Sequence, residues 1–400
     1  MKFLMGLLLA SFLFFPLQPR IQAISSHQEQ AIPLSPQLVL ERLFTSPQLQ
    51  QEWFAPSFLN QIPLTQMEQI IENIEKTLGS YQEVQPDGSS YLVVFEQGSV
   101  PTKLVLDSNS QISGLLFQPP ISQGISLPVA REMFRNLPGK VSFLVLEGNS
   151  ELAALGADEP LAVGSAFKLA VLKALQQQID TGILAWDDVV KLTEDQKSLP
   201  SGMLQTWPDG SLLTVQTLAT LMISVSDNTA TDMLINLVGR ESIESFASRN
   251  RPFLTTREAF VLKNPQNQSL LEGYRQGDVA SRRELINQLQ PYPLPSVNLF
   301  AGDTVAVDVE WFFTTRELCQ LMATVADLPL MSVNPGVARP NDWSRVAFKG
   351  GSEPGVLNLT TFLEAKDGKT YCVAATWNDT VALDETKFTA IYIGAIAGLK

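Results

Sequence analysis

Strand-forming segments stand at both ends of the larger, C-terminal part of this chain, and helical patterns fill the middle. KVSFLVLE (140–147) and ELAAL (151–155), joined by Gly148-Asn149-Ser150, come first. RVAFKG (345–350), VLNLTTFLEA (356–365) and TYCVAATW (370–377) come last, bounded by Gly, Pro and the Asp367-Gly368 turn. Runs of this length and composition between turn residues are strand signals. Apolar residues recur three and four apart over 165–179, 214–224, 229–237, 240–248, 280–289 and 314–326, the amphipathic helix pattern. A last apolar helix is expected over 384–398. The pattern predicts one antiparallel sheet built from both ends of the segment, with helices packed on it, an α+β fold.

The N-terminal part reads differently. PLSPQLVLERLF and PLTQMEQIIENIEKTLGSY give helical spacing within 34–79. SYLVVFE (90–96), TKLVLD (102–107) and ISGLLFQ (112–118) follow as strands, separated by PDGS and DSNS turns. Residues 30–120 therefore read as a small helix-plus-antiparallel-sheet domain. PPISQGISLP (119–128) carries three prolines, which places a linker at 121–130 and the second domain at 131–400. Lys2 and the apolar run Phe3–Leu17 read as a leader ending near Ala23, too short for the ~20 residues of a membrane span. Residues 1–23 are expected to be a signal peptide, which makes the body secreted or periplasmic, or membrane-tethered if uncleaved.

The net charge of −13 argues against nucleic acid, whose binding needs a basic footprint. A single histidine, His27, and two distant cysteines offer no zinc-ligating set, so neither metal nor cofactor is expected. Cys319 and Cys372 could pair in an exported protein or serve as two buried small side chains; both readings stand.

Chemistry concentrates in VGSAFKLA (163–170). Ser165 and Lys168 are three apart, one helical turn from each other on the same face. Gly164 marks a natural helix start, where the Ser165 N–H is one of the unpaired donors of the first turn. Burial of so apolar a helix lowers a lysine pKa and makes a neutral amine available. That amine is a general base beside a nucleophile, in a chain without a usable histidine. Alone, the pair also fits a capping serine and a snorkelling lysine. Two further elements follow in order: Ser226-Asp227-Asn228 between two helices, and Lys349-Gly350-Gly351 on a strand.

S-x-x-K, S-D-N and a K-[ST]-G-like triplet in this order resemble the active-site set of class A β-lactamases and penicillin-binding proteins. The resemblance covers roughly 130–400. It implies that Ser165 is the acylated nucleophile, Lys168 its base, Ser226 a proton relay and Lys349 the partner of a substrate carboxylate. It implies that Asn228 holds Lys168 and a substrate amide, and that the N–H groups of Ser165 and Ser352 form the oxyanion hole. Gly351 lies on that strand, where lack of a side chain lets a substrate backbone approach.

Two departures stand out. Gly350 replaces the family's hydroxyl residue. The deacylating glutamate has one counterpart, Glu258, the sole acid in FLTTREAFVLKNPQ (253–266), with no asparagine four places on. An ordinary exposed helix charge is the preferred reading of Glu258. The N-terminal pattern resembles steroid-isomerase-like (cystatin-like) modules, and the pairing of such a module with a glutamate-less β-lactamase-like domain resembles the cephalosporin esterases of clavulanic acid gene clusters. The implied partner is a small β-lactam, ester or peptidoglycan-like substrate. A D,D-peptidase and a non-hydrolytic binder remain open, and the oligomeric state is left undetermined.

Overall fold

The computed structural model describes residues 35–400, apart from Ser89, Gln97, Pro119, Gln123 and Ala301. The expected leader, 1–23, and His27 lie outside the described residues. The chain divides into two units, Met1–Gln123 and Gly124–Lys400.

In the first unit α1 (Pro36–Thr45), α2 (Pro56–Leu59) and α3 (Leu64–Leu78) precede β1 (Tyr81–Asp87), β2 (Ser90–Phe95), β3 (Gly98–Leu106), β4 (Ile112–Phe117) and β5 (Ile121–Ser122). The strands run antiparallel in the order β1-β2-β3-β4, with β5 on β3. Met67, Ile71 and Leu78 of α3 pack with Val39, Leu40 and Leu43 of α1 against Val93 and Phe95. Spacings of four and seven on the helix and of two on the strand put these residues on single faces. The Asp107 carboxylate shapes the β3–β4 turn by accepting from Asn109 N (2.8 Å) and Gln111 N (2.9 Å). Strand β1 is absent from the sequence reading. Its sequence YQEVQPD buries only Val84, and Pro86 is tolerated because β1 is an edge strand.

The second unit opens with a helix rather than the expected strands, α4 (Leu127–Arg135), which begins inside the stretch read as linker. Pro128 sits in its first turn, where a missing N–H costs nothing. There follow β6 (Lys140–Glu147), β7 (Ser150–Leu155), β8 (Leu161–Ala162) and α5 (Lys168–Asp180). Next come β9 (Val189–Lys191), β10 (Leu212–Thr214), α6 (Val215–Ser224), α7 (Asn228–Val238) and α8 (Arg240–Glu244). Then α9 (Thr256–Leu262), α10 (Gln268–Gln276), α11 (Val279–Ile286), β11 (Phe312–Phe313) and α12 (Thr315–Val325) lead to β12 (Arg345–Glu353), β13 (Val356–Glu364), β14 (Thr370–Asn378) and α13 (Glu385–Ala397). Helix α10 is not legible as a separate helix in the sequence, and α8 ends four residues before the expected 248.

The main sheet has the order β12-β13-β14-β6-β7 and is antiparallel throughout, so the two sequence-distant strand sets meet along β14 and β6 as expected. Alternation on β14 sorts the core. Tyr371, Val373, Ala375 and Trp377 face α4 and α13, where Phe134, Phe388 and Tyr392 cover them. Cys372 and Ala374 face the other way, toward α12. There Cys319 and Cys372 form a disulfide, which decides the pairing the sequence left open. Behind that face, α5 runs through the largest core, with every residue from Ala166 to Leu172 at most 1 % exposed.

Candidate active site

Ser165 lies on a 3-10 turn, Gly164–Phe167, and Lys168 is the first residue of α5. The pair therefore spans a tighter turn than the α-helical start expected from sequence. Gly164 has φ +49°, a left-handed conformation that favours glycine. Ser165 is half-buried, and its hydroxyl makes no hydrogen bond among the described residues.

Lys168 is fully buried. Its Nζ donates to Ser226 O (2.7 Å) and Asn228 Oδ1 (2.7 Å) and lies 3.0 Å from Ser226 Oγ. Burial, reinforced by the nearby charge of Lys349, lowers its pKa well below the ordinary value; Asp232 and Asp227 oppose this more weakly. Two of its three bonds go to carbonyl-type oxygens, which can only accept. A neutral amine satisfies both with its two N–H groups and turns its lone pair to a hydroxyl.

Ser226 has φ +58°, uncommon outside glycine and costing about 1–2 kcal/mol. The next residue holds it there. The Asp227 carboxylate caps α7 through Ala230 N (2.9 Å) and accepts from Met203 N (2.7 Å) and Leu204 N (3.0 Å). Gly202 is required opposite it, because a Cβ there would overlap the carboxylate. Ser201 adds a bond from its hydroxyl to Ser226 O (2.7 Å), and Asn228 Nδ2 donates to Leu199 O (3.1 Å). Loop 198–204 is thus the seat of the S-D-N triplet. Sequence reading missed the loop altogether; Asp227 itself carried a legible signal, as an N-cap residue before a helix.

Lys349 reaches the same serine from β12. It is 3 % exposed, donates to Gly350 O (2.6 Å), and lies 3.1 Å from Ser226 Oγ. Burial pushes its pKa down to about 7.

Gly351 has a different role from the one expected. A Cβ on it would overlap Ser165 N and Val163 O and lie 2.7 Å from Ala166 N, so its bare face meets the nucleophile's turn rather than a substrate. From the other side a Cβ on Gly164 would lie 3.1 Å from Ser352 N. These two glycines let turn and strand meet backbone to backbone, which gathers the N–H groups of Ser165 and Ser352. Such a pair of donors can receive a developing oxyanion.

Glu258 is neither exposed nor part of this cluster. Its carboxylate pairs with Arg240 (2.8 and 3.0 Å) and accepts from Thr255 N (2.8 Å), closing a capping box on α9. The same stretch instead brings Thr256 beneath the S-D-N helix. Asp232 accepts from Thr256 N (2.6 Å), Thr256 Oγ1 (2.9 Å) and Arg257 N (2.8 Å). Burial raises the Asp232 pKa to about 7 against those hydrogen bonds. Neither residue was singled out in the sequence.

Residues 129–289 match the model of the beta-lactamase enzyme family. That stretch is similar to this family. Over 90 residues the chain is 30% identical to Beta-lactamase VEB-1 of Pseudomonas aeruginosa, a match that spans 22% of this chain and 30% of that relative's length. Solved structures similar to this chain include a β-lactamase from Sphaerobacter thermophilus, 22% identical with a TM-score of 0.48, covering 68% of this chain and 94% of that one. PBP-A is also similar, 16% identical with a TM-score of 0.47 and the same coverages.

Proposed function

We propose that the second unit is a serine hydrolase of β-lactams or related esters that works through an acyl-Ser165 intermediate. The observation that carries this reading is the buried Lys168, held by Ser226 and Asn228 with its amine driven toward the neutral form. In this reading Ser165 attacks the carbonyl, and its proton passes to Lys168, with Ser226 as the relay that bridges to Lys349. The Ser165 and Ser352 N–H groups receive the oxyanion, and Lys349 takes a substrate carboxylate. Asn228 retains one N–H for a substrate amide, since it has two and spends one on Leu199 O. Export to the periplasm or outside the cell belongs to the same proposal.

Release of the acyl group favours a second reading beside it. Glu258 is committed to Arg240, so an amide-derived acyl-enzyme lacks that base. This supports a penicillin-binding protein or D,D-peptidase, in which β-lactam adducts persist. Incubation with a penicillin and with a chromogenic ester, followed by intact mass, separates the two. A transient adduct on Ser165 is the expected result for the hydrolase, and a persistent adduct for the binder. No adduct from any acyl donor, with Ser165→Ala silent, would overturn both.

A further inference from the structure

A cavity of about 240 Å³ opens in the second unit between 249–254, 308–312, α10 and α11. Four arginines line it, Arg249, Arg251, Arg275 and Arg282, against two acids, Asp308 and Glu310. By its lining side chains alone it carries four cations against two anions, in a chain of net charge −13. None of the proposed catalytic residues lines it.

The arginines are not equivalent. Arg275 is neutralised by Asp308 (2.7 Å, two bonds) and Glu272 (2.8 Å), and Arg249 by Glu317. Glu310 is turned to Lys263. Arg251 and Arg282 have no carboxylate partner among the described residues. Arg282 is already fixed: Nε donates to Tyr274 O (2.8 Å), Nη2 to Arg275 O (3.2 Å), and the guanidinium lies 4.9 Å from the centre of the Tyr274 ring. That leaves Nη1 uncommitted. A guanidinium held in place before a ligand arrives spends little entropy on binding it, and its planar fork suits an oxyanion. Tyr274 and Trp311 add aromatic wall for the body of such a ligand.

We propose that this cavity is a second binding site for a small oxyanion ligand, a carboxylate or a phosphate, gripped by Arg251 and Arg282. The full chain is titrated calorimetrically with inorganic phosphate and, separately, with citrate, at constant ionic strength set by chloride. Saturable binding of at least one probe is expected, and the probe that saturates tells phosphate from carboxylate. The double variant R251Q/R282Q should weaken it about tenfold or more, as loss of charge-assisted bonds requires, while S165A binds like the parent. R251Q alone, at an exposed residue, keeps the test valid if Arg282 proves necessary for folding. The proposal is overturned if neither probe saturates below about 10 mM, a range in which even weak specific sites fill. It is equally overturned if affinity survives the arginine substitutions.

Discussion

Lys168 and Lys349 converge on one hydroxyl, 3.0 and 3.1 Å from Ser226 Oγ. Two ammonium groups this close repel, and burial penalises both. Burial lowers both pKa values, and the charge of Lys349 lowers that of Lys168 further. Below about pH 7 Lys349 keeps its proton and remains a cation for a substrate carboxylate.

Loss of the Lys349 proton predicts the pH profile of acylation. For a penicillin carrying a carboxylate, kcat/KM should fall above about pH 7, approaching tenfold per pH unit as Lys349 loses its charge. A neutral ester without a carboxylate should lack this alkaline limb. Stopped-flow acylation across pH 5–9 (a window of about four units around neutrality) checks it; parallel profiles for the two substrates would refute the assignment of Lys349. Lys168→Ala should reduce acylation of both substrates by ~10²–10⁴.

The same burial makes Lys349 a cost to the fold. Its folded pKa lies below its unfolded value, so the unfolded state binds more protons between about pH 7 and 10 and stability rises with pH across that window. The cost is therefore fully present below pH 7. Lys349→Met should be more stable than the parent at pH 6, by an amount on the order of a few kcal/mol, with the margin shrinking toward pH 10. Chemical denaturation at the two pH values measures it. A margin that grows with pH would contradict the burial argument.

Adjacent glycines on β12 should respond oppositely to substitution. Gly351→Ala places a methyl group against Ser165 N, so acylation should fall about 10²-fold or more as an oxyanion donor is displaced. At Gly350 a Cβ meets the tip of the Phe348 ring at 2.9 Å, which the ring can relieve by moving, and the backbone Asn358 O at 3.1 Å, which needs only a small shift of the strand. Gly350→Thr should fold and restore a hydroxyl for a substrate carboxylate, lowering KM by about two- to tenfold, the worth of one hydrogen bond. Equal losses in the two variants would show that Gly351 has no special relation to Ser165.

Glu258 is assigned to structure. Glu258→Gln should leave the lifetime of an acyl-Ser165 adduct within about twofold while reducing stability by about 1–3 kcal/mol, through loss of the Arg240 pair and the α9 cap. Adduct decay by mass spectrometry and a thermal melt give the two readouts. An adduct that becomes long-lived on this substitution would return Glu258 to the catalytic set.

Much of the architecture is local and therefore legible. Strands β6, β7, β12, β13 and β14 announce themselves by composition and turn residues, and most long helices by their apolar spacing. Strand β1 and helix α4 are not legible: β1 is a polar edge with one buried residue, and α4 hides its start behind a proline. Ser165, Lys168, Ser226, Asn228 and Lys349 are legible only as a set, because S-x-x-K, S-D-N and K-G-G in that order resemble a known active-site pattern while each triplet alone is weak.

The residue types at the site and the order in which they arrive are written along the chain. Tertiary structure alone decided their relations, because each depends on segments far apart in the chain. It aimed the Lys168 amine at Ser226 and Asn228 and brought a second lysine to the same hydroxyl. It turned Gly351 toward the nucleophile instead of the substrate. It joined Cys319 to Cys372 across a helix–strand interface and gave Glu258 to Arg240. Spacing along a helix or strand fixes which face a side chain takes; only packing fixes what it meets there.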